Sequence, residues 1–257
     1  MELSLGSFNL HMGRGAGGHD APFYDVVAAA KEVDTDVLVL QEAWVPDRCG
    51  FGPGAAATGS GSVSTEVDGN IAEIAVALDY RVAEFFAIAR ATCHDQVRLA
   101  GREGPVGDGD WSIAVLSRLP VLDAEVVRLP QLPRDPARRA VLVVTVVVAG
   151  APFTVVGTHL PLLKDPVWRL RPSLRAALPP VDRPAAFAGD MNMWGWCVRG
   201  LVPRGWRRAV RGRTYPAQRP HSQTDHILVT RPVEVAAAEV VSQTLSDHRP
   251  VRARLRF

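Results

Sequence analysis

Polar and ionisable residues stand at the ends of several short apolar runs in this sequence. A sheet fixes the backbone at such positions while the following loop leaves the side chain accessible, so these are places where a scaffold can present chemistry. The first strand-like run, LSLGSFN, ends in an asparagine, and SDHRPV precedes the last one. The residues at these positions are Asn9, Gln41, Glu42, His159, Asp190, Asn192, Asp247 and His248.

Two of these positions favour metal or phosphate chemistry. Glu42 ends a run too apolar for an exposed carboxylate, so it must be paired, protonated or bound to a metal; a salt bridge to an arginine is the structural alternative. Asp190 and Asn192 fall on the same side of a continuing strand. A carboxylate there can accept a proton or bind a cation, and an amide can hold a phosphate oxygen or a water. An Asx-rich turn is the alternative for this pair.

Asp225 lies at the mouth of another apolar strand, DHILV, and its natural partner is an imidazole. His248 suits that role, whereas His226 falls on the opposite side of the strand and is expected to pack or to face solvent. His159 follows its strand as a lone histidine, which is more often structural than catalytic. Each motif is weak alone, and the set in this order is more informative.

Composition sets the class of protein. The chain has 257 residues, 47% hydrophobic and 22% charged, which predicts one globular domain over residues 1–257. The net charge of +2 excludes a polycation held to nucleic acid by bulk charge, although 27 of the 29 basic residues are arginines, the better partners for phosphate. A codon bias toward arginine explains that count equally well.

Three widely spaced cysteines in no CxxC pattern favour neither a disulfide framework nor a zinc site. The sequence has no signal-peptide pattern and no apolar run of about 20 residues, the length that spans a bilayer. We therefore expect a monomeric cytoplasmic protein without a membrane span.

Many short strand-like runs and few helices predict an α+β layered fold. Amphipathic helices are expected over 21–33, 66–78 and 165–178, and a hairpin over 140–160 with Ala-Gly-Ala-Pro at its turn. Two glycine-rich segments, 49–64 and 100–110, are predicted to be long surface loops.

In this order, Asn9, QE at 41–42, GTHL at 157–160, GDMN at 189–192, TDHIL at 224–228 and SDHRPV at 246–251 resemble the endonuclease/exonuclease/phosphatase superfamily, which has the DNase I-like fold. The resemblance spans essentially the whole chain, and its most specific parts are GDxN and SDHxPV. AVLSRLP at 114–120 and RTYPAQRP at 213–220 also look like stretches of bacterial members. The resemblance implies a four-layer α/β sandwich, with two mixed sheets packed face to face and helices outside.

The resemblance also implies a hydrolase that cleaves phosphoester bonds with a divalent metal, Mg²⁺ or Mn²⁺. Carried over by position, Glu42 would be the central metal ligand, assisted by Asn9 and Asp247. Asp190 and Asn192 would orient the attacking water and the scissile phosphate. His159 and His248 would contact phosphate oxygens, with Asp225 holding the His248 ring. Either Asp190 or the Asp225–His248 pair would be the base.

Several departures and additions bear on the substrate. His11 stands where the abasic-site branch carries an acid, which argues against a close abasic-site endonuclease, and it becomes a candidate substrate contact. Trp194 and Trp196 follow GDMN, where they could stack on a base or sugar, although buried packing is the favoured alternative. The remaining candidate contacts are Arg138, Arg139 and Tyr215, the last within a stretch from 199 to 219 that holds seven arginines and is either a rim of the site or a solvated surface.

The leading hypothesis is therefore a metal-dependent phosphoesterase that hydrolyses a phosphodiester, with the substrate (nucleic acid, phospholipid or small phosphoester) left open. A phosphatase for a small phosphorylated metabolite or a lipid headgroup is the first alternative. A non-catalytic binding module on the same fold is the alternative from another class.

Overall fold

Two six-stranded sheets make up most of the regular structure in the computed structural model, which describes residues 1–16, 21–46, 69–91, 109–135, 137–162 and 166–257. The strands in chain order are β1 (Glu2–Asn9), β2 (Val37–Pro46), β3 (Arg81–Ala91), β4 (Gly109–Ser117), β5 (Val121–Arg128), β6 (Ala140–Val148), β7 (Ala151–His159), β8 (Ala185–Asp190), β9 (Arg207–Arg208), β10 (Asp225–Val229), β11 (Glu234–Val240) and β12 (Val251–Arg256). The helices are α1 (Val26–Val33), α2 (Gly69–Ala77), α3 (Arg171–Ala177) and α4 (Gly195–Leu201), with 3-10 turns at His11–Gly13 and Val167–Leu170.

Both sheets are mixed and share one plan. The first has the order β11-β12-β1-β2-β4-β3 and the second β5-β6-β7-β8-β10-β9. In each sheet the third and fourth strands are parallel and the other neighbours are antiparallel. The carboxyl ends of β1 and β2, and those of β7 and β8, therefore lie side by side in their sheets.

The layers are held together by three apolar clusters. The largest fills the space between the two sheets, and it includes Leu5, Val39, Val115, Val144, Val155, Ala188 and Ile227. A second joins α1 and α2 to the outer face of the first sheet, and a third joins α3 and α4 to the outer face of the second. The predicted four-layer sandwich of two mixed sheets with helices outside is confirmed.

Strand alternation directs the polar strand ends into the space between the sheets. On β1, Leu3 and Leu5 belong to the inter-sheet core, and Asn9 has the same parity at the end of the strand. His159 at the end of β7, Asp190 at the end of β8 and Asp225 at the start of β10 also have the parity of the inter-sheet core residues in their strands. Asp190 pairs in register with both His159 and Asp225, so these side chains meet at one end of the sandwich.

Two local irregularities adjust this end of the sandwich. The register of β2 against β4 shifts between Leu40 and Ala43, and Glu42 within this bulge has φ 52°. Bulges commonly re-aim a side chain beside a functional site. Gly189 has φ 150°, and a Cβ there would overlap the carbonyl oxygen of Thr158, so the approach of β8 to β7 requires glycine.

The predicted hairpin is confirmed, and its turn is shorter than expected. Ala149 and Gly150 both have positive φ, as a two-residue hairpin turn demands, and β7 already begins at Ala151. Of the predicted helices, 21–33 is helical only over Val26–Val33, and 165–178 divides into a 3-10 turn and α3, which has a proline in its first turn.

Some elements were not predicted from the sequence. The edge strand β5 carries acids and exposed apolar residues, so it lacks a clear apolar period. The seven-residue α4 and the two-residue β9 are too short to give one. The two glycine-rich segments predicted as loops lie outside the described residues, except for Gly109 and Asp110, which begin β4. Among the described residues no helix has both the length and the apolar character to cross a bilayer.

Candidate active site

Asp190 is the centre of a polar cluster at the end of the sandwich. Its side chain is buried, its Oδ1 accepts the backbone N–H of Asn192 at 2.8 Å, and its Oδ2 accepts Nδ2 of Asn9 at 3.1 Å. Two imidazole nitrogens approach the same Oδ2, Nε2 of His159 at 3.6 Å and Nε2 of His248 at 3.7 Å. Residues from β1, β7, β8 and the segment before β12 therefore converge on one carboxylate.

Glu42 lies beside this carboxylate. Its Oε1 accepts the other Nδ2 hydrogen of Asn9 at 3.0 Å and lies 3.8 Å from Nε2 of His159. Burial raises the pKa of Glu42 to about 7, and the negative charge of Asp247 is the second largest cause of this increase. A carboxylate with so high a pKa lacks sufficient positive charge nearby.

This arrangement fits a divalent cation. Ligand atoms of Glu42, His159 and Asp190 lie within 4.8 Å of one another, and so do those of Asp190, Asp225 and His248. Clustered carboxylate oxygens are the donors that Mg²⁺ and Mn²⁺ prefer, and a cation here would relieve the unfavourable ionisation of Glu42. The Oδ1 of Asn9, expected as a metal ligand, accepts the backbone N–H of His11, and its Nδ2 faces the two carboxylates.

A second feature of the site is the pair of His248 and Asp225. Nδ1 of His248 lies 2.9 Å from Oδ2 of Asp225, and that oxygen also accepts the hydroxyl of Thr224 at 2.9 Å. Burial alone lowers the pKa of His248, but the charges of Asp225 and Asp190 outweigh it, so the pKa lies well above its ordinary value. These charges favour the protonated ring, and its Nε2 lies on the side of Asp190.

Replacing Asp225 by Asn is expected to lower the pH at which His248 loses its proton, because the nearest negative charge is removed while burial remains. Titration of the His248 ring protons by NMR, assigned by comparison with His248→Gln, measures this. An unaltered His248 midpoint would mean that Asp225 does not set its charge.

His159 behaves differently from His248. Burial, and next the charge of Arg139, lower the pKa of His159 to about 3, so its ring is neutral. Its Nε2 lies 3.0 Å from Nδ2 of Asn192, which also donates to the carbonyl oxygen of Leu160 at 2.9 Å. Both hydrogens of the Asn192 amide are thus used inside the protein, and its Oδ1 is the group that can meet a water. Asn192 reaches this place through a left-handed backbone (φ 52°), not by continuing the strand as expected.

Arg139 is also placed differently from the expectation. Its Nε donates to Asp135 at 2.7 Å, its Nη1 to the carbonyl oxygen of His159 at 3.2 Å, and it is buried over the Trp111 ring. This guanidinium holds β7 in place and is not directed at a substrate. Arg138 is exposed on the segment before β6.

The other predicted contacts border the cluster. Nδ1 of His11 lies 3.8 Å from Oδ1 of Asp247, and the Tyr215 ring lies 4.7 Å from that of His248. The expectation that Trp194 and Trp196 are buried is wrong, because they are 50% and 71% exposed. His226 is buried on the outer face of β10, where its Nε2 donates to the carbonyl oxygen of Met193 at 2.9 Å.

Three hydroxyl residues, Ser246, Thr214 and Thr224, support the cluster and were not predicted to have a role. Ser246 donates to the carbonyl oxygen of Asn9 at 2.8 Å and ties the end of β1 to the SDH segment. Thr214 accepts the backbone N–H groups of Thr224 and Asp225 at 3.1 and 3.3 Å. The only signal in the sequence was their position inside the motifs SDHRPV, RTYP and QTDHI.

Comparison with known proteins agrees with this geometry. A family model described as "Endonuclease/Exonuclease/phosphatase family" matches residues 6–248. An endonuclease/exonuclease/phosphatase from Beutenbergia cavernae is similar with a TM-score of 0.66 at 22% identity, over 100% of this chain and 72% of that one. A search of curated proteins finds no significant match.

Two further solved structures are named for an activity or a bound molecule. Zebrafish (D. rerio) TDP2 complexed with a single-strand DNA product has a TM-score of 0.62 at 17% identity, over 100% of this chain and 99% of that one. Sphingomyelinase C from Streptomyces griseocarneus has a TM-score of 0.60 at 18% identity, over 99% of each chain. At these identities the likeness concerns the fold.

Proposed function

The chain belongs to the endonuclease/exonuclease/phosphatase family, a family of phosphoester hydrolases, and we propose that it is a divalent-metal-dependent phosphodiesterase. The observation that carries the proposal is the convergence on buried Asp190 of Asn9, Asn192 and two histidines of opposite charge state. An acid, a base and a set of cation ligands within one cluster are what hydrolysis of a phosphoester requires.

The pKa directions of the two histidines support one division of the proton transfers. Because the raised pKa of His248 favours its protonated form, Asp190 is the residue that would take the proton of the attacking water, whose position the Oδ1 of Asn192 would help to fix. The Nε2–H of His248 donates to a phosphate oxygen, and Asp225 keeps that ring charged and oriented. The neutral His159 is a positioning residue that holds the amide of Asn192.

Glu42 and Asp247 would be the carboxylate ligands of the metal, with Asn9 orienting Glu42 toward Asp190. When bound, Mg²⁺ or Mn²⁺ would supply the positive charge that stabilises the additional negative charge on the phosphate oxygens. Magnesium is the first choice because the donors are oxygens.

A diester is favoured over a monoester by charge. Four carboxylates surround the site, those of Glu42, Asp190, Asp225 and Asp247, and His248 is the imidazole whose pKa they raise. The guanidinium of Arg139 is paired with Asp135 and donates to a backbone carbonyl. The four carboxylates still exceed the positive charge of His248 and one bound divalent cation together, so the site repels the dianion of a phosphate monoester more strongly than the monoanion of a diester.

A panel of two chromogenic substrates tests the proposed function. Bis-p-nitrophenyl phosphate should be hydrolysed with Mg²⁺ or Mn²⁺ at least about tenfold faster than p-nitrophenyl phosphate, and EDTA should abolish the reaction. Cleavage that persists in excess chelator, or a preference for the monoester, would contradict the proposal. A monomeric state and a cytoplasmic location remain part of the proposal, to be checked by light scattering and by fractionation of cells.

A further inference from the structure

Two exposed indole rings lie immediately after the GDMN motif. Trp194 precedes α4 and Trp196 is in its first turn, and their rings are stacked with centroids 6.2 Å apart and planes inclined by 27°. The indole Nε1 of Trp194 lies 3.5 Å from the Ser222 hydroxyl. Large apolar rings usually gain free energy by burial, so a fixed and exposed pair indicates a surface that another molecule covers.

A series of side-chain contacts connects these rings with the catalytic cluster. The Tyr215 ring lies 4.7 Å from that of His248 and 6.4 Å from that of His221, and Nδ1 of His221 lies 2.8 Å from the Ser222 hydroxyl. We call this line the aromatic track; it consists of His248, Tyr215, His221, Trp194 and Trp196. It runs from the imidazolium that would contact the phosphate to an exposed outer end.

Positive charge accompanies the outer end of the track. The guanidinium of Arg208 lies against Gly195, between the two tryptophans, and a Cβ at Gly195 would overlap it. Arg199 follows Gly195 by four residues on α4, so it lies on the same side of that helix as the Arg208 contact. Burial, and after it the charges of Arg211 and Arg199, lower the pKa of Arg208. None of the three pairs with a carboxylate within the part of the chain that the structure describes. We call Arg199, Arg208 and Arg211 the arginine cluster.

We propose that the aromatic track and the arginine cluster form a subsite for a single-stranded nucleic acid, with Trp194 and Trp196 stacking on an unpaired base near the scissile phosphate. Exposed ring faces with cations beside them match the alternation of flat bases and charged phosphates along a single strand. A paired base inside a duplex does not offer its face. The proposal rests on the proposed phosphodiesterase function and names its substrate class.

A lipid surface is the competing partner for exposed tryptophans, and the geometry favours the nucleic acid. A ring anchored in a bilayer protrudes beyond the polar groups around it, whereas here Arg208 packs against the residue between the rings and Trp194 is held to Ser222. The track also leads back to His248. A strand can follow such a line, but a flat lipid surface can touch only its outer end.

Binding can be measured without turnover. In EDTA, the fluorescence anisotropy of labelled dT10 and U10 should report binding by the wild-type protein, and Trp194→Ala/Trp196→Ala should weaken it about tenfold or more, as is typical for loss of base stacking. Trp194→Phe/Trp196→Phe should restore most of the affinity. Trp168→Ala is the matched control, because Trp168 is 66% exposed on another segment, and it should bind as the wild type does.

The arginines have a separate readout. Each phosphate contact to a single strand contributes about 0.7 to the slope of log affinity against log salt. Arg199→Ala/Arg211→Ala should therefore reduce that slope by about 1.4. An unchanged slope would exclude the arginine cluster from the subsite.

Two substrates with the same leaving group separate failure of this proposal from failure of the proposed function. The alanine double variant should lose activity on thymidine 5′-p-nitrophenyl phosphate through KM, and it should keep wild-type activity on methyl p-nitrophenyl phosphate, which has no base. If the wild type shows no metal-dependent activity on either substrate, the proposed function is wrong, and the anisotropy measurement still tests the subsite.

Equal oligonucleotide binding by the wild type and the alanine variant would contradict the proposed subsite. Sedimentation with phosphatidylcholine/phosphatidylglycerol vesicles tests the lipid alternative. If the alanine variant no longer sediments with the vesicles but still binds dT10 and U10 as the wild type does, the tryptophan pair contacts lipid and the proposed subsite is wrong. A preference for dT10 or for U10 would tell DNA from RNA.

Discussion

Replacing Asp190 by Asn is expected to reduce kcat for bis-p-nitrophenyl phosphate by about a thousandfold, within the range found for loss of a positioned general base. Asparagine has nearly the same shape and can still accept the N–H of Asn192, so the fold should persist. What is lost is the ability to accept a proton at the point where Asn9, His159 and His248 meet. Steady-state kinetics together with the thermal unfolding midpoint measure both effects.

Asp123→Asn is the matched control for this variant. Asp123 is an exposed carboxylate on β5, and its replacement should leave kcat within about twofold of the wild type. An Asp190→Asn protein that folds normally and retains most of its turnover would remove Asp190 from the role of base. The alternative of a non-catalytic binding module predicts that the wild type itself has no turnover to lose.

Replacing Glu42 by Gln is expected to weaken Mn²⁺ binding by about a hundredfold or more, since even residues that only support metal ligands cost ten- to a hundredfold. Turnover at sub-saturating metal should fall in parallel. Isothermal titration calorimetry of the wild type and the variant gives the affinity directly. Glu234→Gln, an exposed substitution on β11, is the control and should bind as the wild type does.

The pH dependence of Mn²⁺ binding has a definite sign. A carboxylate must lose its proton before it binds a metal, and the metal-free pKa of Glu42 is about 7. The apparent affinity should therefore fall about tenfold for each pH unit below 7 and level off above about pH 8. Release of about one proton on binding at pH 6 would accompany it. Affinity that is flat between pH 6 and 8 would contradict the role of Glu42.

The positions of Asn9, His159, Asp190 and Asp225 could be predicted from the sequence because strand geometry determines them. Each falls at a strand end with the parity of the core residues in its strand, and the two parallel pairs place these ends at one edge. Order and spacing of the motifs then identified the family and the four-layer sandwich.

The roles of individual atoms could not be predicted in the same way, because they depend on contacts between distant segments. The Oδ1 of Asn9 accepts the backbone N–H of His11, and the guanidinium of Arg139 donates to the carboxylate of Asp135. Glu42 and Asn192 have positive φ angles, and their positions in the cluster could not be predicted from the alternation of side chains along a strand. The pKa of His159 is lowered first by burial and next by Arg139, and the pKa of His248 is raised by Asp225 and Asp190; none of these three charged residues is adjacent in sequence to its histidine.

The most direct test of the account is a crystal structure of the protein soaked in Mn²⁺, with diffraction data collected at the manganese absorption edge. We expect one anomalous peak in contact with the carboxylates of Glu42 and Asp247 and on the Asp190 side of the cleft. The central claim is that these distant residues form one metal-dependent active site. It would be contradicted if the side chains were ordered without a manganese peak among them, or if manganese were bound only elsewhere on the molecule.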